Sequence, residues 1–482
     1  MRLSELIHRD LDVDPPIAGV TADSRKVKPG FLFAALPGSK VDGAAFAEGA
    51  VRSGAAAVIS TKDLGLAAPT VATPDPRRAY ALAAARFWGA QPAVCVAVTG
   101  TNGKTSVAAF CRQIFAAAGH KAASMGTLGV RISTPGGADE QITPPGLTTP
   151  DAADVAEMLA ALAAKGVTHM AMEASSHGVD QRRLDGVALK AAGFLNLTQD
   201  HLDYHGTMDA YRAAKLRLFA TLLPRGGTAV LNADSEAYPA FAAAAVCAGE
   251  TVFSVGAAGQ GLKLLDAAPT PHGQTLKMAW RNQVHGVQLP LAGAFQASNA
   301  LVAAGLCLAV GVKIDDVLKG LATLEGAPGR LQRVGGGRGG GEAYVDYAHT
   351  PDGLETVLGA LRPHTRGRLI VVFGAGGDRD RGKRPLMGEI AARLADAAIV
   401  TDDNPRSEDP AAIRAQVLAG AVGAQEIGDR RAAIAAGVAM LGPGDVLVVA
   451  GKGHEQGQIV GARTLPFDDV AEVRTALDAA HG

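Results

Sequence analysis

Four cysteines in 482 residues, Cys95, Cys111, Cys247 and Cys307, lack disulfide or metal-ligand spacing and read as core thiols. No apolar run approaches the ~18 residues of a membrane helix; the longest, Ala300 to Val312, stops at Lys313. Charge of one sign is also missing. Forty-six basic and 47 acidic side chains leave a net charge of −1, which argues against a nucleic-acid partner. Met1-Arg2-Leu3-Ser4-Glu5-Leu6 carries charges too early for a signal peptide. The expectation is a cytoplasmic protein without membrane insertion, and a hydrophobic content of 48% suffices for sizeable cores.

What is present is glycine, 60 residues of it, and one glycine loop stands out. An apolar strand, Ala93 to Val98, runs into Thr99-Gly100-Thr101-Asn102-Gly103-Lys104-Thr105-Ser106, and a helix is predicted from Ser106 to Ala118. Strand, glycine turn and helix N-terminus aim backbone N–H groups at one point, which suits a phosphate. Lys104 adds a cation for terminal phosphates and Thr105 a hydroxyl for magnesium. The pattern G-x-x-x-x-G-K-[ST] asks for glycine at position 98, where Val98 stands. ATP or GTP is the expected ligand.

Length and pattern divide the chain into three α/β regions. Residues 1–90 hold short strands (Gly19 to Asp23, Phe31 to Leu36, Ala56 to Ser60) and a helix, Arg77 to Trp88. Residues 91–327 alternate strand and helix, with strands ending at Thr99, near Glu173, at Asn196 and at Asn232, so a mostly parallel sheet is expected. Gly326-Ala327-Pro328-Gly329 marks a hinge. Residues 328–482 repeat the logic: three strands lead into Gly374-Ala375-Gly376-Gly377-Asp378-Arg379, Asp402-Asp403-Asn404-Pro405-Arg406 and Gly451-Lys452-Gly453-His454-Glu455. Ligands bind beyond the carboxyl ends of such strands, so one shared pocket is predicted. Arg379 stands where G-x-G-x-x-G needs glycine, which removes the dinucleotide reading.

Several clusters invite chemistry. Glu173, after an apolar strand, is either a magnesium ligand near Thr105 or a helix N-cap acid. His201 and His205 have the i,i+4 spacing of a zinc pair but no glutamate after His201 and no third ligand, which favours a single histidine as ligand to a hard cation. Lys215 is a solvated helix lysine or, if buried, a free amine that carbon dioxide converts to a metal-binding carbamate. Asn299 and Asp346 are read as polar loop positions within reach of an adenine and a ribose.

Together these clusters resemble the Mur ligases, the ATP-dependent amide-forming enzymes of peptidoglycan precursor assembly, in order and over essentially the whole chain. The likeness is strongest to the branch that adds the third peptide residue. It implies an N-terminal UDP-sugar-binding domain, a central P-loop ATPase domain with a parallel sheet, and a Rossmann-like C-terminal domain. It accounts for the missing glycine, since Thr99-Gly100-Thr101-Asn102-Gly103-Lys104-Thr105 has this family's form. It implies Ser24, Ser39 and Lys40 on the uridine nucleotide, and Thr148, Thr149, Ser175, Gln181 and Arg183 on the muramoyl-dipeptide. The loop residues Gly100 to Ser106, with Asn299, Arg330 and Asp346, would hold ATP. Thr105, Glu173, His201 and carbamylated Lys215 match the magnesium positions, with Lys104, Glu173, His201 and Lys215 catalytic. Leu147 and Gln296 stand where some relatives have asparagine.

The implied partners are ATP, Mg2+, UDP-MurNAc-L-Ala-D-Glu and meso-diaminopimelate, with a monomer expected. ATP would phosphorylate the γ-carboxylate of D-glutamate, and an amine would attack the acyl phosphate in a site closed to water. The choice of amino acid follows from charge. Arg379 and Arg406 can clamp the side-chain carboxylate that diaminopimelate has and lysine lacks, while Glu455 holds the distal ammonium. Asp403, Asn404, Pro405 and Gly451 complete that pocket. Rivals are folylpolyglutamate synthase, disfavoured by Asp23-Ser24-Arg25, and the D-alanyl-D-alanine-adding ligase, disfavoured by Asp403-Asn404-Pro405-Arg406. A nucleotide-dependent switch would need no Lys215, and a P-loop kinase no amine.

Overall fold

The computed structural model describes residues 1–38, 41–337 and 339–481. They form two compact units, one of residues 1–262 and 302–320, the other of residues 263–301 and 321–482.

The first unit contains two sheets. Strands Gly19–Thr21, Phe31–Ala34, Ala57–Ser60 and Thr70–Ala72 make a four-stranded parallel sheet in chain order, the last of them unforeseen in the sequence. Helix Pro76–Trp88 begins with proline after the N-cap Asp75, whose carboxylate accepts from Arg78 N. Beyond it lies a larger parallel array in the order Thr251–Gly256, Thr228–Asn232, Leu189–Phe194, Val94–Thr99, His169–Glu173, Ala122–Gly126. The antiparallel strands Gly129–Ser133 and Glu140–Thr143 extend its edge. Val94–Thr99 is central and buried on both faces, as helix-covered parallel strands require. One strand expected to reach Asn196 stops at Phe194, because Asn196 turns its side chain to the neighbouring glycine loop.

The second unit has a six-stranded sheet of order Gln332–Gly336, Glu342–Asp346, Val446–Ala450, Leu369–Phe373, Ala397–Val400, Gln425–Glu426, parallel except for its first strand. Its two central strands, Val446–Ala450 and Leu369–Phe373, are wholly apolar and buried. The unit also holds the antiparallel strands Leu262–Thr270 (from Lys263 on), Gly273–Trp280 and Gln283–Leu289. These break the strand–helix alternation expected up to residue 327. Their alternating exposure shows a sheet solvated on one face.

Candidate functional site

The glycine loop follows Val94–Thr99, and helix Lys104–Ala117 begins two residues earlier than expected. Val98 is an interior residue of the strand, so a glycine has no task at that position. Gly100 does have one: a Cβ there would lie 2.8 Å from the Cβ of Leu195. Gly103, the helix N-cap, has φ +91°, a conformation that costs other residues energy. The segment after Phe194 braces the loop. Asn102 N donates to Asn196 Oδ1 at 2.9 Å, Thr101 N to Asn196 O at 3.0 Å, and Thr198 N to Thr101 Oγ1 at 2.9 Å.

Both lysines converge on this loop. Lys104 Nζ donates to the carbonyls of Gly100 (2.9 Å) and Thr101 (2.8 Å). Lys215 Nζ donates to the same Gly100 carbonyl at 2.8 Å and sits 4.5 Å from the ring centre of Tyr211. Lys215 is 1% exposed, which overturns the solvated-helix reading. Burial, reinforced by Lys104 and opposed by Asp200, pushes its ammonium well below the usual lysine range.

Glu173 ends its strand beside the loop. Its Oε2 accepts from Thr105 Oγ1 at 3.0 Å, and its Oε1 from Thr127 N at 2.8 Å. The N-cap alternative fails because Ser175 caps the next helix, accepting from Gly178 N. Thr105 and Glu173 thus bring two hard oxygen donors together, the set that a magnesium ion prefers. His201 sits in a left-handed turn (φ 51°) as N-cap of the four-residue helix Leu202–His205, so the two histidines are not a pair on one helical face. The His201 ring stands 6.2 Å from that of Tyr211 and 4.9 Å from that of His177. Among the described residues no group of three or more His, Cys, Asp or Glu side chains could hold a metal.

The residues assigned to the dipeptide form one network. Thr149 Oγ1 donates to Glu173 O at 2.9 Å and accepts from Ser175 N at 3.1 Å. Arg183 donates to Thr149 O at 2.6 Å and to Gln181 Oε1 at 2.7 Å, and the hydroxyls of Thr148 and Thr127 lie 2.9 Å apart. Thr127 and Tyr204, which receives Gln181 Nε2 at 3.1 Å, belong to this network but were missed in the sequence, where nothing marks them. Ser24 opens the short helix Ser24–Lys26, capped by Asp23, whose carboxyl the Arg25 guanidinium holds down at about 2. Ser39 and Lys40 lie outside the described residues.

Two assignments need correction. Asn299 is not in a loop but inside helix Ala294–Ala309, where its Nδ2 donates to Gln296 Oε1 at 3.1 Å. Asp346 is the buried last residue of its strand, and its carboxylate accepts from Leu331 N (2.6 Å) and Ala348 N (2.7 Å). Burial raises its pKa, and those two hydrogen bonds oppose the rise. The Arg330 guanidinium lies 4.9 Å from the ring centre of Tyr347.

In the second unit, a cavity of about 520 Å³ opens beyond the carboxyl ends of four adjacent strands. Three of its loops carry Gly376 and Arg379, then Asp403, Asn404 and Arg406, then Gly451 and Glu455. A fourth, Tyr347, His349, Thr350 and Pro351 after Glu342–Asp346, was missed because its strand follows a glycine tract that gave no signal. Pro405 does not line the cavity; its carbonyl lies against Gly377, where a Cβ would be 1.9 Å away. Arg406, at φ 52°, donates from Nη1 to Gly377 O at 2.7 Å. Asn404 donates to Glu455 Oε2 (2.9 Å) and accepts from the buried Lys452 Nζ (2.9 Å), which also pairs with Glu455 at 3.4 Å. Asp403 Oδ2 is buried without a protein partner. Gly451 (φ +119°) lets that oxygen approach, since a Cβ would lie 2.5 Å from it. Two buried arginines tie the loops from behind: Arg384 to Glu408 (2.8 Å) and Gly376 O (3.2 Å), Arg430 to Asp469 (2.7 Å) and Ala450 O (3.0 Å).

A glycine loop at the carboxyl end of a central parallel strand, with a lysine and a threonine opening the next helix, defines a P-loop α/β protein. Residues 16–86 match the family model described as Mur ligase family, catalytic domain, residues 98–307 the Mur ligase middle domain, and residues 329–453 the Mur ligase, glutamate ligase domain. The chain belongs to the Mur ligase family. It is 72% identical over 479 residues to the UDP-N-acetylmuramoyl-L-alanyl-D-glutamate–2,6-diaminopimelate ligase of Caulobacter vibrioides, covering 99% of each chain. It is 55% identical over 466 residues to the ligase of the same name from Brucella melitensis, covering 96% of this chain and 94% of that one. A solved structure of a ligase of that name superposes with a TM-score of 0.78 at 36% identity, covering 100% of this chain and 99% of the other.

Proposed function

We propose that the chain is an ATP-dependent ligase that joins 2,6-diaminopimelate to UDP-MurNAc-L-Ala-D-Glu in peptidoglycan precursor synthesis. The observation that carries this reading is the cavity of the second unit, where Arg379, Arg406, Asn404 and Glu455 converge on a volume of about 520 Å³. Near-complete coverage of relatives bearing that enzyme name supports it. We divide the chain into a UDP-sugar domain (1–90), an ATP domain (91–327) and an amino-acid domain (328–482).

The chemistry begins with repulsion between the acceptor γ-carboxylate and the ATP γ-phosphate. Lys104, released from the loop carbonyls, and the N-terminus of helix Lys104–Ala117 offset it. Carboxylate oxygen attacks phosphorus, the bond to the β–γ bridging oxygen breaks, and ADP leaves. The amine of diaminopimelate then attacks the acyl carbon; a C–N bond forms, phosphate departs and the amine's proton passes to solvent. Thr105 and Glu173, with His201 and a Lys215 carbamate, would hold Mg2+, which neutralises phosphate charge there. Arg183, Gln181, Thr149 and Ser175 orient the dipeptide, and Ser24 lies on the uridine side. Asn299, Arg330 and Asp346 serve ATP, with Asp346 acting through the backbone that it fixes. A lowered ammonium pKa at Lys215 supplies the free amine that addition of CO2 requires, and the carbamate forms with loss of one proton.

Arg406 and Arg379 clamp the distal carboxylate of meso-diaminopimelate, and Glu455 with Asp403 receives its distal ammonium. Lysine would leave the guanidinium of Arg406 without that partner. A cytoplasmic location accords with ATP as donor; among the described residues no helix is long and apolar enough to cross a membrane. Phosphate release from ATP and Mg2+ is expected only when UDP-MurNAc-L-Ala-D-Glu and diaminopimelate are both added. Release without the amine would make the protein a kinase or an ATPase instead.

A further inference from the structure

Three cations border the cavity of the second unit: Arg379, Arg406 and Lys383. Asp380, Asp403 and Glu455 also line it, the last already paired with buried Lys452. Diaminopimelate has two carboxylates, one beside each amine. The functional reading above, on which this inference rests, assigns Arg379 and Arg406 to the distal one. The carboxylate beside the reacting amine would then enter the cavity without a counter-charge, which is strongly unfavourable.

Lys383 is the remaining cation. It opens helix Lys383–Leu394 and is half-buried. Its Nζ donates to the carbonyl of His349, on the fourth loop, at 2.7 Å. That bond uses one of three ammonium donors and fixes where the head group of a flexible side chain sits. Burial lowers its pKa, with Arg379 and Arg384 acting the same way, while Asp403 and Asp380 oppose the shift. A substrate anion placed at the two remaining donors of Nζ would offset that burial.

We propose that Lys383 binds the carboxylate beside the reacting amine of the incoming amino acid and so aims that amine, while Arg379 and Arg406 hold the distal carboxylate. Lys383 would then serve binding of the part of the substrate that lysine shares, whereas Arg406 reads the part that lysine lacks.

The test is a double-variant cycle on the full chain, with phosphate release measured at saturating ATP and UDP-MurNAc-L-Ala-D-Glu. Lys383→Ala is expected to raise KM for diaminopimelate by about tenfold or more, the loss of one charge-assisted hydrogen bond, and to leave KM for ATP unchanged. Lys383→Arg should recover most of the loss. Lys383→Met, which keeps the packing of the stem, should behave as the alanine variant does if that one folds poorly. With Arg406→Ala added, the two KM increases should multiply, because separate carboxylates are lost. An unchanged KM in both Lys383→Ala and Lys383→Met, a double variant no worse than the weaker single one, or an equal rise in KM for ATP would overturn the proposal. Failure of the wild-type chain to use diaminopimelate would instead overturn the functional reading.

Discussion

The two units hold charge in opposite ways. In the first, Lys104 and Lys215 both turn onto the carbonyl of Gly100, so the loop's cations lie against its own backbone. In the second, charge is distributed over separate loops, with arginines, lysines and carboxylates spaced around a cavity and Asp403 Oδ2 buried without a protein partner. A site for a highly charged phosphate chain can be made largely from backbone N–H groups and a helix end, and needs few side chains beyond one lysine. A site that must tell one amino acid from another needs side chains at fixed separations. The first is therefore local in sequence and the second is assembled from distant segments.

The largest expected effect breaks the first site alone. Lys104→Ala should lower kcat by about a thousandfold, on the scale of losing one charge-stabilising donor, with KM for diaminopimelate little changed. Single-turnover phosphate release would measure it. A comparable loss of diaminopimelate binding would show that the two sites do not divide the work as described.

Next comes Arg406→Ala, expected to raise KM for diaminopimelate about a hundredfold, in the range found when one partner of a buried charge pair is removed. Its preference for diaminopimelate over lysine should shrink in steady-state comparisons, while KM for ATP stays put. Gly451→Ala probes the same cavity through the backbone. With φ at +119° and a Cβ 2.5 Å from Asp403 Oδ2, it should cost about 1–3 kcal/mol in thermal unfolding and weaken diaminopimelate binding.

The smallest effect concerns the opposite end of the strand that carries Glu173. His169 begins that strand, stacked 3.9 Å from His120, and burial pushes its imidazole down to about 4. Between pH 6.5 and 4 the unfolded chain takes up a proton that the folded chain refuses. Stability therefore falls as pH drops through that window, by on the order of 2 kcal/mol. His169→Phe should flatten that dependence in denaturant titrations at several pH values, and leave activity at neutral pH intact.

These regions also differ in what the sequence discloses. The run from Thr99 to Ser106 is contiguous, so strand, turn and helix are read together, and the absent glycine at 98 is explained once Val98 is seen inside the strand. Three of the four cavity loops were readable because each follows an apolar strand with charged residues. The loop at Tyr347 to Pro351 was not, since its strand is preceded by a glycine tract. Arg384 and Arg430 were invisible for another reason: in sequence each is one more charge on a helix, and only burial against Glu408 and Asp469 shows that they brace the loops. The burial of Lys215 was likewise an open alternative that periodicity could not decide. Asn299 lies in a helix and not in a polar loop, because Gln296 one turn earlier accepts from its amide there.

The most direct measurement of the central claim offers the wild-type chain equal concentrations of meso-diaminopimelate and L-lysine, with ATP, Mg2+ and UDP-MurNAc-L-Ala-D-Glu, and weighs the nucleotide product. The account predicts a tripeptide carrying diaminopimelate, with the lysine product at trace level. A product carrying lysine in comparable amount would contradict the role given to Arg406 and the cavity around it.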